Sequence, residues 1–304
     1  MTAVLLEMGA LILCGLLWRA WRPGELDADT VRQVLGAVVY YLLLPALVLL
    51  VMWRATLGLD SLRISVAAAS GVLGSLALAW GYYRLTAQPR AVAGAMLLAA
   101  GFPNATYLGL PVLESLYGEA GRGIAIQYDL FACTPLLLTV GILIAQRFGT
   151  RGEASGILVG LLRIPSLWAA VAAIALNLSG VPLGAWAADW LERLAAGVIP
   201  LMLFSLGLGL GAGGWRLERL ASVLPVLLLQ LALMPLGVWA VAAGIGLHGT
   251  TLQGVVLEAA MPSMVLGLVF CDRFGLDTGL YATAVTLTTA LSLASLPLWF
   301  AWLA

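Results

Sequence analysis

The residues best suited to chemistry follow two prolines that lie inside long apolar runs. Pro103 is followed by Asn104 and Thr106, and Pro262 is followed directly by Ser263. Proline inside a helix removes a backbone hydrogen bond and clashes with the preceding turn, so each run should be interrupted there. The half-helix that starts after a break offers free N–H groups and a positive dipole end, which favour an anion. The amide and the hydroxyls at that level would add uncharged hydrogen-bond donors.

A structural role is also open for Asn104. Its side chain is able to accept a hydrogen bond from the N–H groups that begin the next half-helix, as an N-cap residue does. That cap would not exclude a binding role, because the same helix end still carries donors and positive dipole that suit an anion.

Three acidic residues, Glu7, Asp129 and Glu258, are set well within apolar runs. Glu7 lies near the outer end of its span, where it is able to reach the interface, so Asp129 and Glu258 are the candidates. A charge at the centre of a bilayer costs at least ~2.5–3.5 kcal/mol, so an ionisable residue there indicates a function by default. Asp129 lies seven residues beyond Arg122, which is roughly 10 Å of helix. Glu258 lies four residues before Pro262. We expect a proton or cation site at one of these acids; the alternative is structural hydrogen bonding to the interrupted helices.

The elements that position these residues must be membrane helices. The 304 residues are 62% hydrophobic and only 10% charged, whereas a soluble domain has about 25% charged residues. A helix needs about 20 apolar residues to cross a bilayer, and the apolar runs predict ten spans. These are 2–18, 34–53, 64–83, 91–116, 123–145, 164–180, 194–210, 221–247, 252–270 and 278–303. The connection 181–193, with Trp186 and Trp190, is typical of an interfacial helix.

Arginine supplies every basic residue of the chain, since there is no lysine. With ten spans, eleven of the 15 arginines fall in alternate loops on one side and four on the other. Cytoplasmic loops are enriched in basic residues, so the side with eleven is predicted to be inside and both termini outside. A single histidine and three widely spaced cysteines leave a membrane enzyme without a metal motif or a redox pair. No cofactor is expected.

Ten spans divide into two groups of five, and an odd number makes two related groups enter the membrane from opposite sides. Each break lies in the fourth span of its group: Pro103 is 13 residues after Arg90, and Pro262 is 14 residues after His248. Paired interruptions at corresponding positions of two halves indicate the binding site of a secondary transporter. A channel or receptor is the alternative membrane class, but an inverted repeat favours alternating access.

Two motifs resemble those of the auxin efflux carrier family. The fourth-span signature is similar to the stretch from Phe102 to Pro111, which reads FPNATYLGLP, and to the Tyr117-Gly118 that follows. A second signature is similar to Ala259–Pro262 with Phe274–Asp277 beyond it, followed by a final span rich in threonine and serine. The likeness covers essentially the whole chain. The positions that match the family's motifs are Pro103, Asn104, Gly109, Pro111 and Pro262.

The resemblance implies an all-α integral membrane protein with ten helices in two inverted five-helix repeats, as in bile-acid symporters and sodium/proton antiporters. The first repeat would occupy 1–147, a cytoplasmic linker 148–163 and the second repeat 164–304. Spans 1, 2, 6 and 7 would form a scaffold, usually the interface of a homodimer. Spans 3–5 and 8–10 would form a transport domain in which broken spans 4 and 9 cross.

The function that the resemblance implies is elevator-type transport of a small organic anion, auxin-like or malate- or malonate-like, across a bacterial inner membrane. The substrate is expected at the crossing, with Thr106 and Ser263 as further contacts; Ser263 is inferred from its position alone. Since no arginine is evident inside a span, a monocarboxylate is favoured over a dicarboxylate, unless loop arginines line a vestibule. Proton or sodium coupling, as in bile-acid-like symporters, is the alternative at Asp129 or Glu258. Lipid and a second copy are the expected partners, with no nucleic acid.

Overall fold

A computed structural model describes residues 2–55, 58–150, 165–209 and 220–304 of the chain. The helices of the first half are α1 (Thr2–Trp21), α2 (Ala28–Arg54), α3 (Leu59–Leu85), α4 (Arg90–Gly101) and α5 (Ala105–Phe148). The next helices are α6 (Pro165–Leu178), α7 (Ala185–Ala195), α8 (Val198–Gly209) and α9 (Leu220–Gly244). The chain ends with α10 (Gly249–Ala259), α11 (Gly267–Phe274) and α12 (Thr278–Leu303).

Long apolar helices confirm that this is an all-α protein built for a membrane. In the described part of the chain, six helices are long and apolar enough to cross one: α2, α3, α5, α7 together with α8, α9 and α12. Large apolar side chains stand on the outer surface of the bundle, where only lipid would cover them; they include Leu17, Leu62, Leu78, Leu228 and Leu298. The number of ten spans stays a prediction, because α4 and α6 are apolar but shorter than a full span.

Helix α5 is longer than one span and is interrupted at Gly118. The backbone there has φ 60° and ψ −136°, a conformation that glycine adopts because it has no Cβ. The interruption falls between the predicted spans 91–116 and 123–145. It turns the chain, so that the residues after it form a second helical segment within α5.

The two short helices α4 and α10 lie at the centre of the bundle. Residues 93–105 and 254–263 are buried without a gap. Helix α4 packs against α3, α9 and α12, and α10 packs against α3, α5 and α9. Around this centre, α1 packs on α8, α2 on α6, and α3 on α9. The residues expected to do chemistry therefore sit where helices from both halves of the chain meet.

The structure describes one of the two predicted connections in full and the other only in part. Most of helix α7 lies in the connection 181–193, and its Trp186 and Trp190 are exposed and stacked with ring centroids 6.2 Å apart. The place of α7 at a membrane interface stays a prediction. The predicted linker 148–163 lies, from residue 151 onward, outside the described residues.

Candidate functional site

Two breaks in the helices meet at the centre of the molecule. The break between α4 and α5 and the break between α10 and α11 run antiparallel to each other, bridged at Pro103 and Ser263. The Asn104 N–H donates to the Pro262 carbonyl at 2.7 Å. On the other side of the bridge, the Met264 N–H donates to the Phe102 carbonyl at 3.0 Å. Each proline lacks the N–H that would continue a helix, which explains why both runs open at this level.

The carbonyl groups at the end of α4 receive side-chain hydrogen bonds. The Ser75 hydroxyl, from α3, donates to the Ala100 carbonyl, and the Ser263 hydroxyl donates to the Ala99 carbonyl, both at 2.6 Å. Groups that a broken helix leaves open must find partners within the protein when water is absent. Ser263 is fully buried and its one hydroxyl hydrogen is used here. Its predicted contact with a substrate therefore requires this bond to open if the hydroxyl is to donate.

Carbonyl groups in the break after α10 receive side-chain hydrogen bonds from α9 and α12. Gln230 Nε2, from α9, donates to the Met261 carbonyl at 2.9 Å, and the Tyr281 hydroxyl, from α12, donates to the Met264 carbonyl at 2.8 Å. Helices α3 and α9, which pack on each other, thus each lend a polar side chain to one of the two breaks. Sequence reasoning did not assign these residues to the site, although a lone glutamine inside an apolar run was a usable signal.

Asn104 is 2% exposed and carries an unused donor. Its backbone carbonyl accepts from the N–H groups of Leu108 at 3.2 Å and Gly109 at 3.0 Å. The predicted side-chain cap is wrong, because φ −80° and ψ 57° replace the usual extended N-cap conformation and the side chain makes no capping hydrogen bond. Its Nδ2 is buried with no hydrogen-bond partner among the described residues. Such a donor costs about 1–3 kcal/mol, so an acceptor atom of a ligand suits this position.

Thr106 and Asp129 are brought together by the start of α5 and its second segment. The Thr106 hydroxyl donates to one carboxylate oxygen of Asp129, and the Thr134 hydroxyl donates to the other at 3.1 Å. Because a hydroxyl has one hydrogen, Thr106 has none free for an anion while this bond persists. Asp129 therefore makes the structural hydrogen bonds that were the alternative to coupling.

Glu258 lies on α10 and packs against α5 at Gly109. It is fully buried, and neither carboxylate oxygen has a hydrogen-bond partner in the part of the chain that the structure describes. The carboxylate fills the space that a Cβ at position 109 would need. Burying an isolated charge is costly, so Glu258 is better suited than Asp129 to bind a proton or a cation. Pro111 lies within α5, two residues after Gly109.

Two cavities lie at opposite ends of α2, on either side of the crossing. The first, here the Arg122 cavity, has a volume of about 540 Å³ and is lined by residues that include Arg54, Glu119, Arg122, Gln127 and Thr250. The second, the Tyr107 cavity, has about 320 Å³ and is lined by residues that include Arg32, Tyr40, Tyr107, Ser205 and Val265. Between them, Leu44 and Val48 of α2 close against Thr106 and Asp129 around a space of only about 10 Å³. That space has room for one water at most.

The sequence did not predict that Arg122 and Gln127 line a cavity. The sequence puts Arg122 in a loop between spans, whereas the structure includes it in α5, beyond the turn at Gly118. Their positions on a cavity wall depend on how that turn folds α5 back beside α2. The only available signal was two polar residues close to Asp129 in sequence.

Comparison with known proteins shows that the chain is similar to membrane transporters. A family described as membrane transport protein matches residues 4–300. An uncharacterized transporter of Methanothermobacter thermautotrophicus is 31% identical over 301 residues, which are 98% of this chain and 97% of that protein. The uncharacterized transporter YfdV of Escherichia coli K12 is 26% identical over 246 residues, 78% of this chain and 77% of its own length. The uncharacterized transporter MJ1031 of Methanocaldococcus jannaschii is 25% identical over 209 residues, 68% and 67%.

Proposed function

The chain belongs to the membrane transport protein family, which confirms the resemblance of its two motifs, and we propose that it carries a small organic anion by alternating access. The family and the names of its relatives indicate a membrane transporter and not an enzyme. One observation carries the proposal: an unpaired, buried amide donor at Asn104 lies where two broken helices cross, between two cavities. A site of this kind is able to face each cavity in turn.

Uncharged donors would hold the anion at this crossing. The Asn104 amide stands beside the first turn of α5, whose N–H groups have no acceptor one turn earlier because the chain is broken there. The same helix end carries the positive end of the dipole. A carboxylate placed here would accept from the amide and from the backbone, and its negative charge would be offset without an arginine.

We propose inverted five-helix repeats from the symmetry of the contacts. Let the helices α1 to α5 correspond to α6, α8, α9, α10 and α12. The α1–α8 contact then corresponds to the α6–α2 contact, and the α4–α12 contact corresponds to the α10–α5 contact. The α3–α9 contact corresponds to itself. The backbone pairing at the crossing has the same symmetry about Pro103 and Ser263. In this arrangement, α1, α2, α6 and α8 form the scaffold of a homodimer, and α3–α5 with α9–α12 form the transport domain.

The two cavities support an elevator-type movement of the transport domain. Both are lined on one side by α2 of the proposed scaffold and on the other by elements of the transport domain. The narrow point between them lies where Leu44 and Val48 meet Thr106 and Asp129. Sliding the transport domain along α2 would carry the crossing from one cavity past this constriction to the other. In the cell this would occur in the inner membrane, with both termini outside.

Proton or cation coupling is the second candidate, and Glu258 favours it. Its carboxylate contacts Gly109 in α5, and Gly109 donates its N–H to the Asn104 carbonyl. A change of charge at Glu258 would therefore act directly on the helix end that presents the Asn104 amide. This contact offers a physical route from ion binding to substrate binding.

Uptake into proteoliposomes tests the proposal. A panel of small carboxylic acids is compared with the corresponding neutral amides, in wild type, Asn104→Leu and the control Ser70→Ala, whose hydroxyl only bonds within α3. We expect saturable uptake of an acid but not of its amide, loss of that uptake in Asn104→Leu, and retention in Ser70→Ala. Uptake that does not saturate, or a current far above carrier turnover, would contradict a carrier and favour a channel.

A further inference from the structure

The Arg122 cavity has the features of a binding site in its own right. It lies between α2, α3, the second segment of α5 and the beginning of α10, with a volume of about 540 Å³. This is within the range of pockets that bind small molecules, roughly 300–1,000 Å³. No described residue of the crossing lines this cavity, and Leu44 and Val48 of α2 border a separate space of only about 10 Å³.

Gln127 offers the cavity an acceptor without a partner. The side chain is only 8% exposed, it lines the cavity, and its Oε1 has no hydrogen-bond partner within the described residues. Leaving a buried acceptor unpaired costs the full desolvation of that group, which is more than a typical hydrogen bond contributes. A ligand that donates a hydrogen bond at this point would remove that cost.

Arg122 offers the same cavity a donor without a partner. Its terminal nitrogen pairs with Glu114, which lies on the other side of the Gly118 turn in α5. Its Nε is buried, and no described residue accepts a hydrogen bond from it. The Arg122 side chain is 22% exposed, so the guanidinium is largely held in place. A carboxylate is a suitable acceptor, since hydrogen bonds between ionised groups are about twice as strong as neutral ones.

Two arginines and two acidic residues line the cavity, so excess charge among its lining residues does not select the ligand. Arg54 lies 2.8 Å from Glu192 and 3.9 Å from Glu119, and Arg63 lies 3.0 Å from Asp60. Selection must then come from the two unpaired atoms, one donor and one acceptor. A molecule with a carboxylate and a separate hydroxyl or amine satisfies both; a carboxylate alone satisfies only the donor of Arg122.

We propose that the Arg122 cavity is a vestibule site for small carboxylates that also carry a hydrogen-bond donor, such as hydroxy acids. The site rests on the proposed transport function, because it would collect the substrate before it reaches the crossing. The cavity and the constriction are both lined by α2 and by the second segment of α5, with Ile124 on the cavity and Ala125 on the constriction. A ligand that leaves the cavity along α2 would therefore reach the constriction that Asp129 and Thr106 help to form.

Equilibrium binding of lactate and propionate to the purified full-length protein tests this site. The two acids differ by one hydroxyl, and binding is measured in wild type and in Asn104→Leu, which disables the crossing. In Asn104→Leu we expect lactate to bind about 2- to 10-fold more tightly than propionate, the worth of one neutral hydrogen bond. Adding Gln127→Leu should remove that preference. Adding Arg122→Lys, which keeps a charge for Glu114 but loses Nε, should weaken both acids about 10-fold or more.

The control is Arg63→Lys, since Arg63 pairs with Asp60 and does not line the cavity; it should change neither affinity. A cysteine introduced at Gly123, on the cavity wall, provides a measurement that does not depend on altering Arg122 or Gln127. In a Cys14→Ser background, where the remaining native cysteines are buried, lactate should slow its alkylation more than propionate at equal concentration.

The outcomes separate the vestibule site from the crossing. If Asn104→Leu abolishes all saturable binding, the vestibule site is wrong and the crossing stands. If Asn104→Leu still binds and this binding ignores both Arg122 and Gln127, the vestibule site is wrong. If Asn104→Leu binds as wild type does and Arg122→Lys removes binding, the vestibule site stands and the crossing is wrong. If wild type binds neither acid, or if the alkylation of the introduced cysteine is unaffected by lactate, the proposal is overturned.

Discussion

Replacing Gly109 with alanine tests how closely α5 and α10 are packed beside the crossing. A Cβ at this position would lie 2.6 Å from Cδ of Glu258, whereas carbon atoms in contact are about 3.5–4.0 Å apart. The overlap of about 1 Å has to be relieved by moving the Glu258 carboxylate or by separating the helices. Overpacking of this size costs about 1–3 kcal/mol.

Thermal unfolding of the detergent-solubilised protein measures that cost. At roughly 2 °C per kcal/mol for a large chain, Gly109→Ala should lower the midpoint by about 2–6 °C. Gly74→Ala is the matched control, because a Cβ there meets open space and alanine favours the helix by about 1 kcal/mol. Its midpoint should stay the same or rise.

The double variant Gly109→Ala/Glu258→Ala shows whether the cost comes from this contact. Shortening Glu258 makes room for the new methyl group, so the double variant should lie within about 1 kcal/mol of Glu258→Ala alone. If Gly109→Ala is as stable as Gly74→Ala, or if shortening Glu258 gives no rescue, the packing of the carboxylate against α5 is refuted.

Two further predictions concern the breaks and the topology. Gln230→Leu should leave the Met261 carbonyl buried without its donor, cost about 1–3 kcal/mol and lower the thermal midpoint, whereas Ser70→Ala should not; equal midpoints would contradict the role of Gln230. A cysteine introduced at Thr150 should react with an impermeant maleimide in inverted vesicles but not in intact cells, because the arginine distribution puts this loop inside. Labelling from outside would overturn the topology.

The positions of the breaks were predictable, because their cause is local. Pro103 and Pro262 lack an N–H, and no distant residue is needed for that effect. The partners that satisfy the open carbonyls were not predictable. Ser75 lies 25 residues from the carbonyl that it meets and Gln230 lies 31 residues from its own, so each pairing depends on the packing of whole helices.

The sequence predicted where Asn104 lies but not which of its groups form hydrogen bonds there. The position at the break follows from the sequence, yet the backbone carbonyl took over the contacts at the start of α5 and left the amide free. Thr106 was expected to face a substrate, but its hydroxyl donates a hydrogen bond to Asp129. Asp129 lies in the second segment of α5, which comes beside Thr106 only because of the turn at Gly118. The Arg122 cavity depends on the same turn; the position of the turn between two predicted spans follows from the sequence, but the side chains that it brings together do not.

The affinity of Asn104 variants for the acid that the uptake panel selects tests the central claim most directly. We expect Asn104→Ala to weaken binding about ten- to over a hundredfold, since one hydrogen bond to a charged group is worth ~1.5–3 kcal/mol. Asn104→Asp should be weaker still, because a second carboxylate repels the anion. Equal affinities of wild type and Asn104→Ala, or tighter binding of the neutral amide than of the acid, would contradict an anion site at the crossing.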